Sequence, residues 1–321
     1  MGDKNLTNPS FEEGVSMSSR GLDHYSDKGA VNADIRGSNI SSNGEIKKGM
    51  FVVVDGLDGI GKGEIERALV AYEQMKGKAV FDSISFSKAY EELPELNNFW
   101  GVPRPHFNTI ITAEPTYAWI GKAIREEITL RNLRDYPARV QVETYSNDRL
   151  IQMMRVVVPA LNHGINVIQS RCMASTLTYQ LLKSRDEGEE ESKILEEILN
   201  HPGNRYQSEN RPDLLIIPTI ESARQLEERL RERGKNEKDD RSMFENVQFQ
   251  ERLKPLYESG MLRDIFEKLR TKVSYINAGL GIESSRGQAV DIYKGFLEGE
   301  VKEIYRTPES VLGNTSDRIS S

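Results

Sequence analysis

Cysteine and histidine are scarce in this chain, and so are long apolar runs. The 321 residues hold one cysteine, Cys172, and four histidines. A single cysteine makes no internal disulfide and fits a reducing cytoplasm. So few Cys and His residues argue against a structural zinc site. No apolar run approaches the ~20 residues that a bilayer requires. The opening residues, MGDKNLTNPSFEEG, lack the basic start and apolar stretch of a secretory leader, so the expected location is cytoplasmic. Basic residues are the minority as well, with Lys+Arg 43 against Asp+Glu 50 and a formal charge of −7. That balance argues against a nucleic-acid binder, which needs net basic surface along the phosphate backbone. A nucleotide site is not excluded, because it needs only a few local cations and backbone N–H groups. What is present, 37% hydrophobic and 29% charged residues, suits a globular protein with a charged surface and a sizeable core.

Residues 1–48 are rich in Gly, Ser, Asn and Asp and show no apolar period, so a disordered tail is expected. The texture changes at Met50. Phe51-Val52-Val53-Val54 is a β-branched run of the kind buried on both faces of a parallel sheet. A glycine loop follows, and Glu64 to Met75 reads as a helix. Strands over Lys78–Ser83 and Thr109–Thr112 flank a Pro- and aromatic-bearing insertion, Ser87–His106. Helices are expected over Trp119–Arg131 and Ala138–Asn162, then a strand at Ile165–Ile168 and a helix from about Ala174. The acidic stretch Asp186–Ser192 leads to a short helix ending near Asn200–Gly203. A strand at Leu214–Ile217 precedes a charged helix, Glu221–Arg233, and a polar run, Gly234–Ser242. A long helix reaching Leu269, a strand at Val273–Ile276 and a helix from about Arg286 to Leu297 complete the pattern. Residues from about Ile304 read as a frayed end. Strands alternating with helices imply right-handed βαβ units, hence an α/β fold with a doubly wound parallel sheet flanked by helices. The expected divisions are a tail over 1–48, one domain over 49–300 and a flexible end over 301–321.

Gly56-Leu57-Asp58-Gly59-Ile60-Gly61-Lys62 fits the first seven places of the P-loop pattern, between a strand and a helix. Glycines let successive N–H groups converge on phosphate oxygens, and the helix N-terminus adds a favourable dipole. Lys62 is expected to reach the β- and γ-phosphates as a point charge. The expected ATP-binding residues are therefore Gly56, Leu57, Asp58, Gly59, Ile60, Gly61, Lys62 and Gly63. The last place departs from the pattern, which calls for a Ser or Thr hydroxyl on Mg²⁺ where Gly63 stands. Magnesium must then be held by carboxylates and water, with Asp58 and Asp55 the nearest candidates. Glu64 adds negative charge to the first helical turn or caps it.

The stretch Phe51 to Lys62, with Asp55 before the loop and Asp58 within it, resembles the opening of thymidylate kinases. Further segments match in the same order: Glu114-Pro115-Thr116 with Gly121 and Ile124-Arg125, Tyr145-Ser-Asn-Asp148-Arg149 with Pro159-Ala160-Leu161, Ser170-Arg171-Cys172 with Tyr179-Gln180, and Pro212-Asp213 with Glu227 to Arg233. The resemblance spans about Met50 to Leu297. It implies a P-loop kinase of the nucleoside monophosphate kinase type with a short lid, ATP with Mg²⁺ as donor and dTMP as acceptor. Tyr145 then stacks on the thymine ring and Arg149 hydrogen-bonds its carbonyl edge. Arg171 binds the acceptor phosphate, Tyr179 crowds the sugar's 2′ position, and Asp58 contacts the acceptor and the metal. Glu114 and Arg125 complete the substrate set. Arg231, Arg233 and Arg241 are the matching lid arginines, and Tyr257 matches a sugar-side Tyr. The resemblance also implies a homodimer.

Three departures fall on metal and phosphate handling: Gly63, Ala113 where many members have Arg, and Ser170 where the family usually has Asp. The leading reading is a dTMP kinase with catalytic Lys62, Asp58, Arg171, Arg231 and Arg233. The alternatives are a nucleotide-binding protein that kept the fold with weakened turnover, and a kinase for another nucleoside or nucleotide. Cys172 reads as a packing residue, since phosphoryl transfer needs no thiol.

Overall fold

Every residue of β1 (Phe51–Val54) is buried, because the strand lies inside the sheet with a layer of helices on each face. The computed structural model describes residues 48–95, 107–130, 134–222, 225–226, 247–299 and 306–312. In chain order the described elements are α1 (Lys62–Met75), β2 (Ala79–Asp82), α2 (Ser83–Tyr90), β3 (Phe107–Ala113), α3 (Trp119–Ala123), α4 (Ala138–Gln152) and α5 (Val158–Asn162). Then come β4 (Asn166–Ser170), α6 (Met173–Asp186), α7 (Glu191–Asn200), α8 (Pro202–Glu209), β5 (Leu214–Thr219), α9 (Val247–Tyr257) and α10 (Gly260–Lys268). The last are β6 (Lys272–Asn277), α11 (Ile282–Glu298) and α12 (Pro308–Leu312). The strands form a six-stranded sheet in the order β2-β3-β4-β1-β5-β6, parallel at every pairing. This is the doubly wound architecture that the strand and helix alternation predicts.

Side chains alternate across β1. Phe51 and Val53 join the core cluster that includes Leu177 and Leu253, while Val52 and Val54 join Ile65, Leu69 and Ile292 on the other face. Each such buried side chain contributes about 1.5–3 kcal/mol relative to exposure. Among the described residues no helix is long and apolar enough to cross a membrane.

Several boundaries differ from the sequence expectation. The long helix expected over Ala138–Asn162 is broken by a π-helical turn, Met153–Val157. Pro159 supplies no N–H, and its ring crowds the carbonyl four residues back, so the backbone widens there. The helix expected to run to Leu269 is two helices, because Ser259 accepts from the Leu262 N–H at 3.2 Å and starts α10 afresh. Three helices were not expected. In α2, Asp82 caps by accepting from the Ser85 N–H at 2.8 Å, and the serine-rich sequence gives little helical signal. In α8, Pro202 occupies the first turn, a place where proline suits a helix start. Within the stretch read as a frayed end, Pro308–Leu312 is helical. There Tyr275 N donates to Arg306 O at 3.0 Å and Asn277 Nδ2 donates to Val311 O at 2.9 Å. The tail expectation for 1–47 and the charged lid helix over 227–233 lie outside the described residues.

Candidate active site

The chain leaves β1 towards β2 on one side of the sheet and leaves β4 towards β5 on the other. Ligands of such sheets sit outside the carboxyl ends of the strands at this switch point. A cavity of about 660 Å³ opens there, walled by Asp58, Lys62, Glu114, Tyr145, Arg171 and Tyr179 among others. Gly59 and Gly61 turn the loop with φ of 73° and 100°, values that glycine adopts without steric cost. Helix α1 then starts with no side-chain cap. Its first turn lines the cavity, so its N–H groups and positive dipole end meet whatever binds. Lys62 folds onto the loop, donating to Gly56 O at 3.0 Å and Leu57 O at 2.7 Å, with Asp58 Oδ1 3.8 Å away. Burial, then the Arg171 charge, pulls Lys62 down to about 8 against the opposing pull of Asp58 and Asp55.

Arg171 follows β4 with φ 65°, a left-handed value that costs a residue with a side chain on the order of 1–3 kcal/mol. Its N–H donates to Val54 O at 2.9 Å. Its guanidinium pairs with Asp58 and donates to Ser175 Oγ at 2.9 Å. Burial opposes that charge, but Asp58, Tyr179, Tyr257 and Asp55 outweigh it and raise the Arg171 pKa. The Tyr179 hydroxyl donates to the other Asp58 oxygen at 2.8 Å, and the Asp58 N–H donates to Gln250 Oε1 at 2.9 Å. Asp58, Arg171, Lys62 and Tyr179 are thus brought together as expected.

Asp55 is not brought to the cavity wall. It is fully buried and accepts from Gly56 N–H at 2.7 Å, Ser175 Oγ at 2.8 Å and Tyr257 OH at 3.0 Å with one oxygen. The other oxygen accepts from the N–H groups of Cys172 and Ser175, both at 3.0 Å. Asp55 therefore ties the loop to the start of α6 and presents no free oxygen to a metal. Tyr257 serves the same tie. Cys172 is buried beside it, and burial pushes its thiol well up, as befits packing.

Away from the loop, Tyr145 and Arg125 line the cavity. Arg125 lies 3.7 Å from the Tyr117 ring centroid and donates to Thr116 O at 3.0 Å. Thr116 is fixed by Asp148, which accepts its N–H at 2.8 Å and its hydroxyl at 2.7 Å. Arg149, expected at the base edge, is 1% exposed. It lies behind Glu114, pairing with it at 2.7 Å, and donates to Asn204 and to Thr176 Oγ1. Glu114 also accepts from Gln169 at 2.9 Å and Gln207 at 3.3 Å. Burial pushes Glu114 up to about 7 despite Arg149. Asn204 and Gln207 come from α8, where a Cβ at Gly203 would meet Ser146 O at 1.8 Å. Only glycine lets α8 approach α4 so closely.

The three departures all reach the same wall, since Gly63, Ala113 and Ser170 line the cavity. Glu64 is neutralised by ion pairs to Arg67 and Arg286. Glu66, which the motif reading passed over, lines the same wall. Its Oε1 is buried without a hydrogen-bond partner among the described residues. The signal was its place four residues after Lys62, on the same face of α1. The oxygens of Asp58, Glu66 and Ser170 are hard donors that suit Mg²⁺. Among the described residues no group of three or more His, Cys, Asp or Glu could hold a metal alone. A metal held mainly by phosphate and water needs none. Arg231, Arg233 and Arg241 lie outside the described residues.

The thymidylate kinase family model matches residues 103–284, beginning beyond the phosphate loop. Over 218 residues the chain is 30% identical to a thymidylate kinase of Leptospira interrogans serogroup Icterohaemorrhagiae serovar copenhageni, covering 68% of this chain and 84% of that protein. It is 28% identical over 207 residues to a thymidylate kinase of Prochlorococcus marinus (strain MIT 9301), covering 64% and 80%. It is 25% identical over 263 residues to a probable thymidylate kinase of Thermococcus gammatolerans, covering 79% and 98%. With a phosphate loop at the switch point of a parallel sheet, and relatives that agree over most of their length, the chain belongs to the thymidylate kinase family.

Proposed function

We propose that this chain is a dTMP kinase, moving the γ-phosphoryl group of ATP in line onto the phosphate of dTMP. The observation that carries the reading is the meeting, in one cavity, of the loop and Lys62 with the Asp58–Arg171–Tyr179 cluster. Transfer between two bound nucleotides needs positioning and charge neutralisation rather than a covalent nucleophile. Lys62 exchanges its loop carbonyls for phosphate oxygens. Arg171, held by Asp58 and by its own backbone geometry, takes the acceptor phosphate. Tyr179 crowds the sugar, and Tyr145 stacks on the base. Arg149 acts through Glu114 and Thr176, which it holds against the cavity. Arg231 and Arg233 are the proposed lid cations over the transferring group. Magnesium, when bound with ATP, supplies charge neutralisation at the phosphates. Asp58, Glu64 and Glu66 are the loop-side carboxylates that line the cavity, and of these Glu64 is paired with Arg67 and Arg286. This reading places the kinase domain at 49–300, working as a cytoplasmic homodimer, which light scattering would check.

The test is ADP release across dTMP, dUMP, AMP, GMP and CMP. The expected order is dTMP first, dUMP weaker for want of the methyl contact, and the others poor. Equal turnover of AMP and dTMP would sink the acceptor assignment. No ADP with any acceptor, while calorimetry still detects ATP and dTMP binding, would replace the kinase with a nucleotide-binding protein.

A further inference from the structure

The geometry points to Glu66 as the carboxylate that takes up the divalent cation of the bound nucleotide, directly or through water, in place of the hydroxyl that Gly63 lacks. This rests on the kinase reading above. Helix α1 sets Glu66 one turn beyond Lys62 on the cavity wall. The Ser170 hydroxyl donates to its carboxylate, and the charges of Lys62, Arg171 and Arg67 lie within electrostatic reach. Yet Oε1 stays buried with no hydrogen-bond partner among the described residues, an arrangement that native proteins rarely leave unexplained.

Each neighbouring cation is committed elsewhere. Lys62 donates to the carbonyls of Gly56 and Leu57, Arg171 to Asp58 and Ser175, and Arg67 to Glu64. The neighbouring carboxylates are committed too. Asp55 is filled by loop and α6 donors, and Asp58 by Arg171 and Tyr179. Glu66 lines the phosphate cavity and is left with a buried carboxylate oxygen that receives no hydrogen bond from the described residues. Magnesium at such sites keeps several waters and takes only one or two carboxylates along with the phosphates, which a single Glu66 oxygen satisfies. A retained proton is the other way to quiet Oε1, and burial does raise the Glu66 carboxyl above its ordinary range. Glu66→Gln mimics that protonated state and so separates the two.

The experiment uses the full chain, Mn²⁺ as the probe and the β,γ-imido analogue of ATP, with bound Mn²⁺ read by electron paramagnetic resonance. The expected result for Glu66→Gln is roughly tenfold weaker Mn²⁺ binding in the nucleotide complex, the size usual for groups that tune a metal site. Metal-free analogue should bind no more weakly, because a negative charge has left the phosphate wall. Glu66→Gln/Ser170→Asp should recover Mn²⁺ affinity. Glu66→Asp, a second variant should the first not fold, should weaken Mn²⁺ by shortening the reach. Mn²⁺ affinity equal to the parent in either single variant overturns the inference while leaving the kinase reading intact. A parent that does not bind the analogue at all overturns the kinase reading itself.

Discussion

At the loop end of the cavity, charged side chains are gathered against strained backbone. Below its other end, charged side chains are paired off inside the protein. Around the loop, Arg171 sits at φ 65°, Lys62 is pulled to about 8 by burial and by Arg171, and Glu66 Oε1 has no hydrogen-bond partner among the described residues. Around Glu114, by contrast, Arg149, Asn204, Thr176 and Gln169 form one bonded group. The first arrangement is costly until phosphate and metal complete it, so it belongs to binding and turnover. The second is complete without ligand, so it belongs to the shape of the pocket. Two arginines, one four residues after an aromatic and one directly after a strand end, can look alike in sequence and do different work.

Variants that remove one charge at each end should break along that line. Arg149→Ala leaves the Glu114 carboxylate buried and unpaired, and breaking such a pair costs about 3–5 kcal/mol. Urea denaturation should show that loss, with turnover following the folded fraction. A fully stable Arg149→Ala would show that the pair does not hold the pocket. Lys62→Ala should do the reverse. Removing a preorganised charge at a reacting centre costs about 100-fold or more in kcat, while the melting temperature holds or rises, because a buried, poorly solvated cation has gone. Unchanged turnover would make the loop structural and end the kinase reading.

The loop end was legible in sequence because each of its parts carries a local signature, although the parts meet from over 100 residues apart. Gly56 to Lys62 carries its own geometry, and Ser170-Arg171 follows a strand whose β-branched run is plain. The other end was not. Asn204 and Gln207 sit on a helix that begins with Pro202-Gly203, read as a terminus, and they reach Arg149 and Glu114 across the fold. Nothing local says that Arg149 turns inward. Asp55 was read as a metal candidate from its closeness to the loop, yet its partners come from α6 and α9. Glu66 was overlooked because P-loop patterns stop short of it, although its four-residue spacing from Lys62 was visible.

A gentler probe of the loop end is pH. The free protein loses the Lys62 proton near pH 8, and a bound polyphosphate restores it, so between about 8 and the ordinary value of 10.5 nucleotide binding takes up a proton. Affinity for ATP should then fall as pH rises, by at most about tenfold per unit. Calorimetry at pH 9 in buffers of different ionisation enthalpy reads the uptake directly. Lys62→Arg should abolish it, because guanidinium keeps its proton throughout. An uptake of zero in the parent would mean that burial and Arg171 do not lower Lys62.

The smallest expected effect comes from restoring the missing hydroxyl. Gly63 lies in the first turn of α1. A Cβ there would meet only the Arg67 Nη1 at 3.7 Å, ordinary van der Waals contact with the far end of a flexible chain. Serine therefore fits without strain, and it should steady the helix by a few tenths of a kcal/mol, since glycine is the poorer helix residue. Its hydroxyl is one more hard oxygen where the P-loop pattern places a magnesium ligand. Gly63→Ser should lower the Mg²⁺ concentration for half-maximal rate by roughly two- to fivefold, on the scale of one added neutral oxygen ligand. The same substitution in a Glu66→Gln background should help more, because the metal has then lost its carboxylate. A Mg²⁺ titration of parent, single and double variants measures both effects. If Gly63→Ser leaves the Mg²⁺ requirement unchanged in each background, the metal does not sit against the first turn of α1, and the contrast between the two ends of the cavity rests on Lys62 and Arg171 alone.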